Sequence, residues 1–174
     1  TQWSPDGRYV SFYERSLMIN RRLFICDTST WKVIDTGVDG VGGRMPFYDT
    51  ENIWSGDSTK VLVTTEMGGG YYDIAAGKFV EVGPLESGHY KQGFSFSPDS
   101  GKIAYFVRDN SIQPMPFYVY DIASAQSREV CTLALTVPSG MDVGFFAPVW
   151  ISNTEFLENK NMISKVNIDN GEIS

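Results

Sequence analysis

The chain has 174 residues, enough for one ordinary domain with its own core and too many for a disulfide-held miniprotein. Hydrophobic residues make up 42% against 20% charged, which excludes a disordered chain. The 14 Lys plus Arg against 21 Asp plus Glu give a formal net charge of −7 and argue against a partner held through its phosphates, so no nucleic acid is expected. No apolar run approaches the ~20 residues of a membrane-crossing helix, so no membrane span is expected either.

The first element opens at Trp3-Ser4-Pro5-Asp6-Gly7, a tight turn by composition. Pro presets φ, Asp bonds back onto the turn's own amides, and Gly accepts a positive φ. It leads into "RYVSFYE", β-branched and aromatic as a half-buried strand should be. A second strand, "LFICD", ends at Asp27 and turns through "TST" into a third, "WKVIDTG". The pattern returns as Trp54-Ser55-Gly56-Asp57-Ser58 before "TKVLVTTE", with "GYYD" ending at Asp73. It returns again as Phe96-Ser97-Pro98-Asp99-Ser100-Gly101 before "KIAYFVRD", with "FYVYD" ending at Asp121. A looser fourth unit has "WISNTEFLE" and "KVNIDNGEIS", anchored at Asn167 and lacking the Asp-Gly turn. The anchors lie 46, 48 and 46 residues apart. A period in the forties with several short strands and two turns per unit fits the blade of a β-propeller, and no 3.6-residue apolar pattern persists for three turns.

The "WSPDG" turn, the "IAY"-type strand after it and the later "YVYDI" resemble the TolB-like propeller repeat, a relative of the WD repeat. Members of that group include TolB and the propellers of prolyl oligopeptidase and dipeptidyl peptidase relatives. The resemblance spans essentially the whole chain and implies fold more than function, because the motif residues make turns and packing. It also implies a periplasmic or extracellular location. The fold class expected is all-β: a β-propeller, or a portion of one, of about four four-stranded antiparallel blades. Their approximate limits are 1–43, 44–87, 88–139 and 140–174.

Each blade should run from an inner strand A up to the Trp or Phe, through strands B and C, to an outer strand D. Strand A of the first unit and strand D of the fourth are expected to be incomplete. Three arrangements follow: a piece of a six- to eight-bladed propeller completed by the remaining blades of a longer parent chain, a half that pairs edge to edge with a second copy, or a four-bladed ring.

No catalytic residue, metal site or cofactor is expected. The one histidine, His89, has no Gly-x-Ser-x-Gly elbow to serve, since "GFSFS" fails at its last position. "DTGVDG" (35–40) and "NIDNGE" (167–172) miss the calcium-loop frame and read as ordinary turns. The glycine clusters "DGVGGR" and "EMGGGYY" read as flexible blade connections. Cys26 and Cys131 sit in strand-like apolar runs and read as small buried hydrophobes. Trp3, Trp54, Phe96 and Trp150 read as packing between blades.

Binding is the remaining function class. The motif turns mark one face, so the B–C and D–A connections gather on the other. Their segments are 14–22, 40–47, 65–70, 86–93, 108–116 and 138–148. They supply the expected binding residues Arg15, Arg22, Arg44, Met67, Tyr90, Arg108, Phe145 and Phe146, types enriched at protein interfaces. The function expected is noncatalytic recognition of a protein or peptide. The alternatives are the substrate-gating propeller of a prolyl-oligopeptidase-like serine peptidase whose catalytic domain lies outside this chain, and a scaffold within a larger assembly.

Overall fold

A computed structural model describes residues 1–14, 20–41, 53–65, 68–83, 89–108, 115–133, 147–159 and 163–174. The described residues form strands and turns only, in four antiparallel sheets that each follow chain order. The first holds β1 (Gln2–Trp3), β2 (Tyr9–Tyr13), β3 (Asn20–Asp27) and β4 (Lys32–Val41). The second holds β5 (Lys60–Thr64), β6 (Gly69–Asp73) and β7 (Lys78–Glu81), with Trp54 bridged to Val61 on the inner side. The third holds β8 (Tyr90–Phe96), β9 (Lys102–Arg108), β10 (Met115–Asp121) and β11 (Gln126–Leu133). The fourth holds β12 (Val149–Trp150), β13 (Glu155–Asn159) and β14 (Ile163–Asn167), with Ile173 bridged to Val166 on the outer side. The third sheet has four strands, and so does the first, whose inner strand, expected to be incomplete, is the two-residue β1. Among the described residues, the second and fourth sheets each have three strands and one single bridge.

The fold is a β-propeller portion of four blades, and its core is the set of slabs between them. Side chains alternate across a strand, so each sheet feeds two slabs. Val61 and Val63 pack with Leu23 and Ile25 of blade one, while Leu62 between them packs with Phe94 and Tyr105 of blade three. On blade three, Ala104 and Phe106 face away from that slab, onto Phe156 and Val166 of blade four. The motif aromatics lock these junctions. Trp54 is 6% exposed, lies against the Tyr9 ring at 6.1 Å, and gives its indole N–H to Ser11 Oγ at 3.1 Å. Trp150 gives its own to the Ser95 carbonyl at 3.2 Å. Trp3 departs from the expectation: it is 61% exposed, because no described residue packs where Tyr9 packs on Trp54.

The Ser-x-Asp turns form a second kind of lock. In each, the Ser hydroxyl donates to the Asp two residues on, at 2.6 Å for Ser4–Asp6 and for Ser97–Asp99. The carboxylate then accepts a turn amide, from Arg8 at 2.9 Å, Thr59 at 3.1 Å and Gly101 at 3.0 Å. Across blades, the Asp57 amide donates to Ser100 Oγ at 3.2 Å and the Asp99 amide to Asn153 Oδ1 at 3.0 Å. These bonds align the motif turns on one face, the back, as the strand order requires.

Two expectations about glycine and acidic runs are corrected. Gly68, Gly69 and Gly70 are buried, the last two within β6, rather than parts of a flexible connection. A Cβ on Gly69 would stand 2.6 Å from the Phe94 ring and one on Gly70 2.0 Å from the Val80 carbonyl oxygen. "DTGVDG" is not a turn but part of β4, bulged where Gly37 takes φ of 68°. "NIDNGE" is a turn, closed by the Asp169 amide on Asn167 Oδ1 at 2.9 Å and the Glu172 amide on Asn170 Oδ1 at 3.0 Å.

Candidate binding face

The two faces of the blade array differ in how their polar groups are used. On the back, carboxylates are held by their own turns. A hydrogen bond from Ser4 holds Asp6 below the usual carboxylate range, and one from Ser97 does the same for Asp99. Burial works against ionisation of Asp57, but bonds from Ser55 and Thr59 still leave it lowered. At the C–D turns, the backbone amide of Ser124 does this for Asp121, and Asp27 falls to about 2 because Ser29 and then Arg8 bond to it. With their lone pairs engaged internally, these acids have turn-holding roles, as the sequence suggested.

The opposite, front face carries the strand ends that lead into the B–C and D–A connections. Arg15, Arg44, Met67, Phe145 and Phe146 lie outside the described residues. Of the three expected binding residues that are described, two come together: Tyr90 opens β8 and is the cross-strand partner of Arg108, which closes β9. Arg22 lies on another blade, and within strand β3 rather than in a loop. Its guanidinium meets Asp39 Oδ1 at 3.3 Å and Asp35 Oδ2 at 3.5 Å on the neighbouring strand, in an exposed triad. The segments read as connections are shorter than expected, since Asn20–Arg22, Gly69–Gly70, Tyr90–Gly93 and Met115–Pro116 belong to strands.

Sequence reasoning missed Lys91. It was placed in a front loop, but it lies on β8 and is 2% exposed. A bulge at Gly93, with φ of 67°, puts Lys91 and Phe94 on the same side of the strand, facing blade two. Its Nζ donates to the Val82 carbonyl at 2.6 Å and also to that of Gly83. The ammonium therefore ties the end of blade two to the inner strand of blade three. Burial pulls its pKa below the ordinary lysine value, and the charge of Glu81 opposes this. The available signal was alternation: a Lys in step with apolar positions once the Gly93 bulge is allowed for. Among the described residues, His89 Nδ1 and Ser95 Oγ are buried without a hydrogen-bond partner.

No known protein family and no curated protein matches the chain. Solved structures do match. TolB from Acinetobacter baumannii aligns with a TM-score of 0.53 at 14% identity, over 99% of this chain and 41% of that one. Prolyl oligopeptidase B from Galerina marginata, bound to a 35mer hydrolysis and macrocyclization substrate, aligns at 0.61 and 14%, over 99% of this chain and 28% of that one. Oligogalacturonate lyase in complex with manganese aligns at 0.59 and 12%, over 89% and 41%. At these identities the likeness shows the fold, a TolB-like propeller fold. The chain spans well under two thirds of the length of each of these proteins.

Proposed function

We propose that this chain is a noncatalytic protein-recognition propeller module that takes a protein or peptide partner on its front face, at the B–C and D–A connections. The asymmetry between the faces carries this reading: back-face carboxylates are engaged within their turns, whereas Tyr90 and Arg108 stand as a cross-strand pair at the front end of blade three. Tyr and Arg are types that dominate interface energetics. A periplasmic or extracellular location belongs to the same proposal and rests on the resemblance to TolB-like proteins. A second reading, the gating propeller of a serine peptidase, is favoured by the alignment of 99% of this chain with part of a prolyl oligopeptidase. The scaffold reading has no comparable observation behind it.

The test is selection of binders from a displayed random-peptide library, followed by affinity measurement on variants. Tyr90→Ala and Arg108→Ala should each weaken a selected peptide by about tenfold or more, the scale of a modest interface residue, while Asp99→Ala lowers stability and leaves affinity intact. Peptides that ignore both front-face variants and are lost with Asp99→Ala would place recognition on the back and overturn the proposal.

A further inference from the structure

We propose that the outer flank of blade one is a docking face for a further propeller blade of the same polypeptide, one with an apolar receiving row, and not for a second copy of this chain. The inference rests on the fold and is independent of the front-face reading.

The argument starts from register. In blade two, Trp54, Val61, Tyr72 and Phe79 are successive cross-strand partners and form one row across the sheet. The corresponding row is Phe96, Ile103, Tyr120 and Ser127 in blade three, and Trp150, Phe156, Val166 and Ile173 in blade four. Each of these rows faces the preceding blade, and its two central residues are buried there. Blade one has the same row in the same register: Trp3, Val10, Cys26 and Val33. Here nothing described covers it, and its ends, Trp3 and Val33, are 61% and 51% exposed.

The next row repeats the likeness. Phe12 and Phe24 are partners on that flank with rings stacked at 5.7 Å and 16°; Tyr105 and Tyr118, in the equivalent places of blade three, stack at 5.5 Å and 18°. In blade three this pair lies against blade two, with Tyr105 buried. The flank of blade one is therefore built like faces that elsewhere receive a blade, and a contiguous apolar sheet face of this kind marks an interaction site. At the three described junctions the covering blade is the stretch of chain immediately before, which is the source the proposal names.

The occupant's chemistry follows from the faces that cover these rows. Their central pairs are Ser11 with Ile25, Leu62 with Tyr71, and Ala104 with Val119. The corresponding pair on blade four is Leu157 with Lys165, and Lys165 is ion-paired to Glu155 at 3.1 Å. A second copy docking through blade four would press that ammonium against Cys26 and Val10, burying a charge on an apolar row. Two back-face positions of blade one also differ from the other blades: Gly7 has no side chain where Ser58 and Ser100 accept a bond, and Thr28 stands in place of Ile74, Ile122 and Ile168. The covering blade is thus fixed by the apolar rows and by the Trp3 indole, whose counterparts in Trp54 and Trp150 reach an inner-strand carbonyl at 3.3 and 3.2 Å.

The experiment compares three proteins: the chain itself, the chain with a copy of residues 88–139 joined ahead of Thr1, and the chain with a copy of residues 140–174 joined there. Each added copy carries Ser wherever it has Cys. Alkylation of Cys26, resolved by mass spectrometry with Cys131 as internal reference, reads the covering of the flank. The first added blade should slow Cys26 alkylation by about tenfold or more and the second should leave it unchanged, since protection follows how often a covered site opens. Equal Cys26 reactivity with and without the first added blade, or a concentration-dependent dimer of the unmodified chain that protects Cys26, would overturn the proposal. Because the added blade could fail to fold, the unmodified chain gives a second reading. Trp3→Glu should leave its melting temperature unchanged where Trp54→Glu lowers it; an equal drop would show the flank already covered and sink the idea.

Discussion

Asp6 in the first blade gives its backbone amide to the hydroxyl of Ser58 in the second, 3.1 Å away and 52 residues along the chain. Ser58 reaches that position by adopting φ of 61°, and Ser100 does the same one blade on, where the first blade uses Gly7 at 74°. A left-handed conformation costs a non-glycine residue about 1–2 kcal/mol, so serine here is explained by what its hydroxyl does for the neighbouring blade. Ser58→Ala keeps the strain and removes the bond to the part-buried Asp6 amide, and should lose about 1 kcal/mol. Ser58→Gly loses the same bond but relieves the strain, and should lose less. Urea denaturation of the two variants checks the order; Gly as destabilising as Ala would mean that the backbone is not strained.

Much of this fold was legible because the turn signals are local. Pro5, Asp6 and Gly7 dictate their turn by φ preference and by a carboxylate two residues from its amide, and the anchors Asp27, Asp73 and Asp121 repeat with the period of a blade. The junctions were not legible, because they are made by residues 43 to 55 positions apart whose meeting depends on how one sheet packs on the next. Gly70 shows the difference. Within its own strand it looks like a breaker, and only the approach of the Val80 backbone explains it. Of the candidate site, only the cross-strand pairing of Tyr90 with Arg108 was legible, since it follows from the β8–β9 hairpin. Arg22 lies in β3 rather than in the connection, and its ion pairs span a bulge that the sequence does not announce.

Lys91 should stabilise the junction of blades two and three despite its burial. Its ammonium satisfies two carbonyls, Val82 and Gly83, at the point where blade two hands over to the next connection. Lys91→Met keeps the apolar stem and orphans both oxygens, and a loss of about 1–3 kcal/mol is expected from bonds to a charged donor. A gain in stability on chemical denaturation would show instead that desolvation of the ammonium outweighs its bonds. The sign of the pH dependence is a further check. The folded-state pKa is lowered, so the folded chain binds fewer protons than the unfolded one as pH approaches 10.5, and stability from this group rises with pH across that window. The Met variant should lack that rise.

Asp27 sets an acid limit on blade one. Its carboxylate accepts from the Ser29 hydroxyl at 2.6 Å, the Ser29 amide at 2.9 Å and Arg8 Nη2 at 3.0 Å, which together hold its pKa at about 2 against an ordinary 3.8. A lowered folded-state value means the contribution is complete above the unfolded value and is lost as pH falls from 3.8 through about 2. Asp27→Asn should therefore be less stable than the parent at neutral pH and show a shallower loss through that window. Asp6, Asp99 and Asp121 shift in the same direction, so some acid sensitivity persists in the variant. Identical slopes for the two proteins would mean that Asp27 is not ionised in its turn.

Two glycines separate steric from conformational demand. Gly70 is buried in β6 without a positive φ, and a Cβ there would stand 2.0 Å from the Val80 oxygen and 2.9 Å from the Glu81 Cα. Neither atom can yield without disrupting the β6–β7 ladder, in which Tyr71 pairs with Val80 and Gly70 with Glu81. Gly70→Ala should cost about 3 kcal/mol, at the upper end of overpacking. Gly77 is the converse: φ is 62°, but the nearest atom to its Cβ would be the Tyr72 hydroxyl at 4.0 Å. Gly77→Ala pays only for the left-handed backbone, about 1 kcal/mol. Denaturation midpoints of the two variants decide the matter. If Gly70→Ala is tolerated as well as Gly77→Ala, the outer strand of blade two does not lie against β6 as closely as described. The glycine run would then be a connection after all.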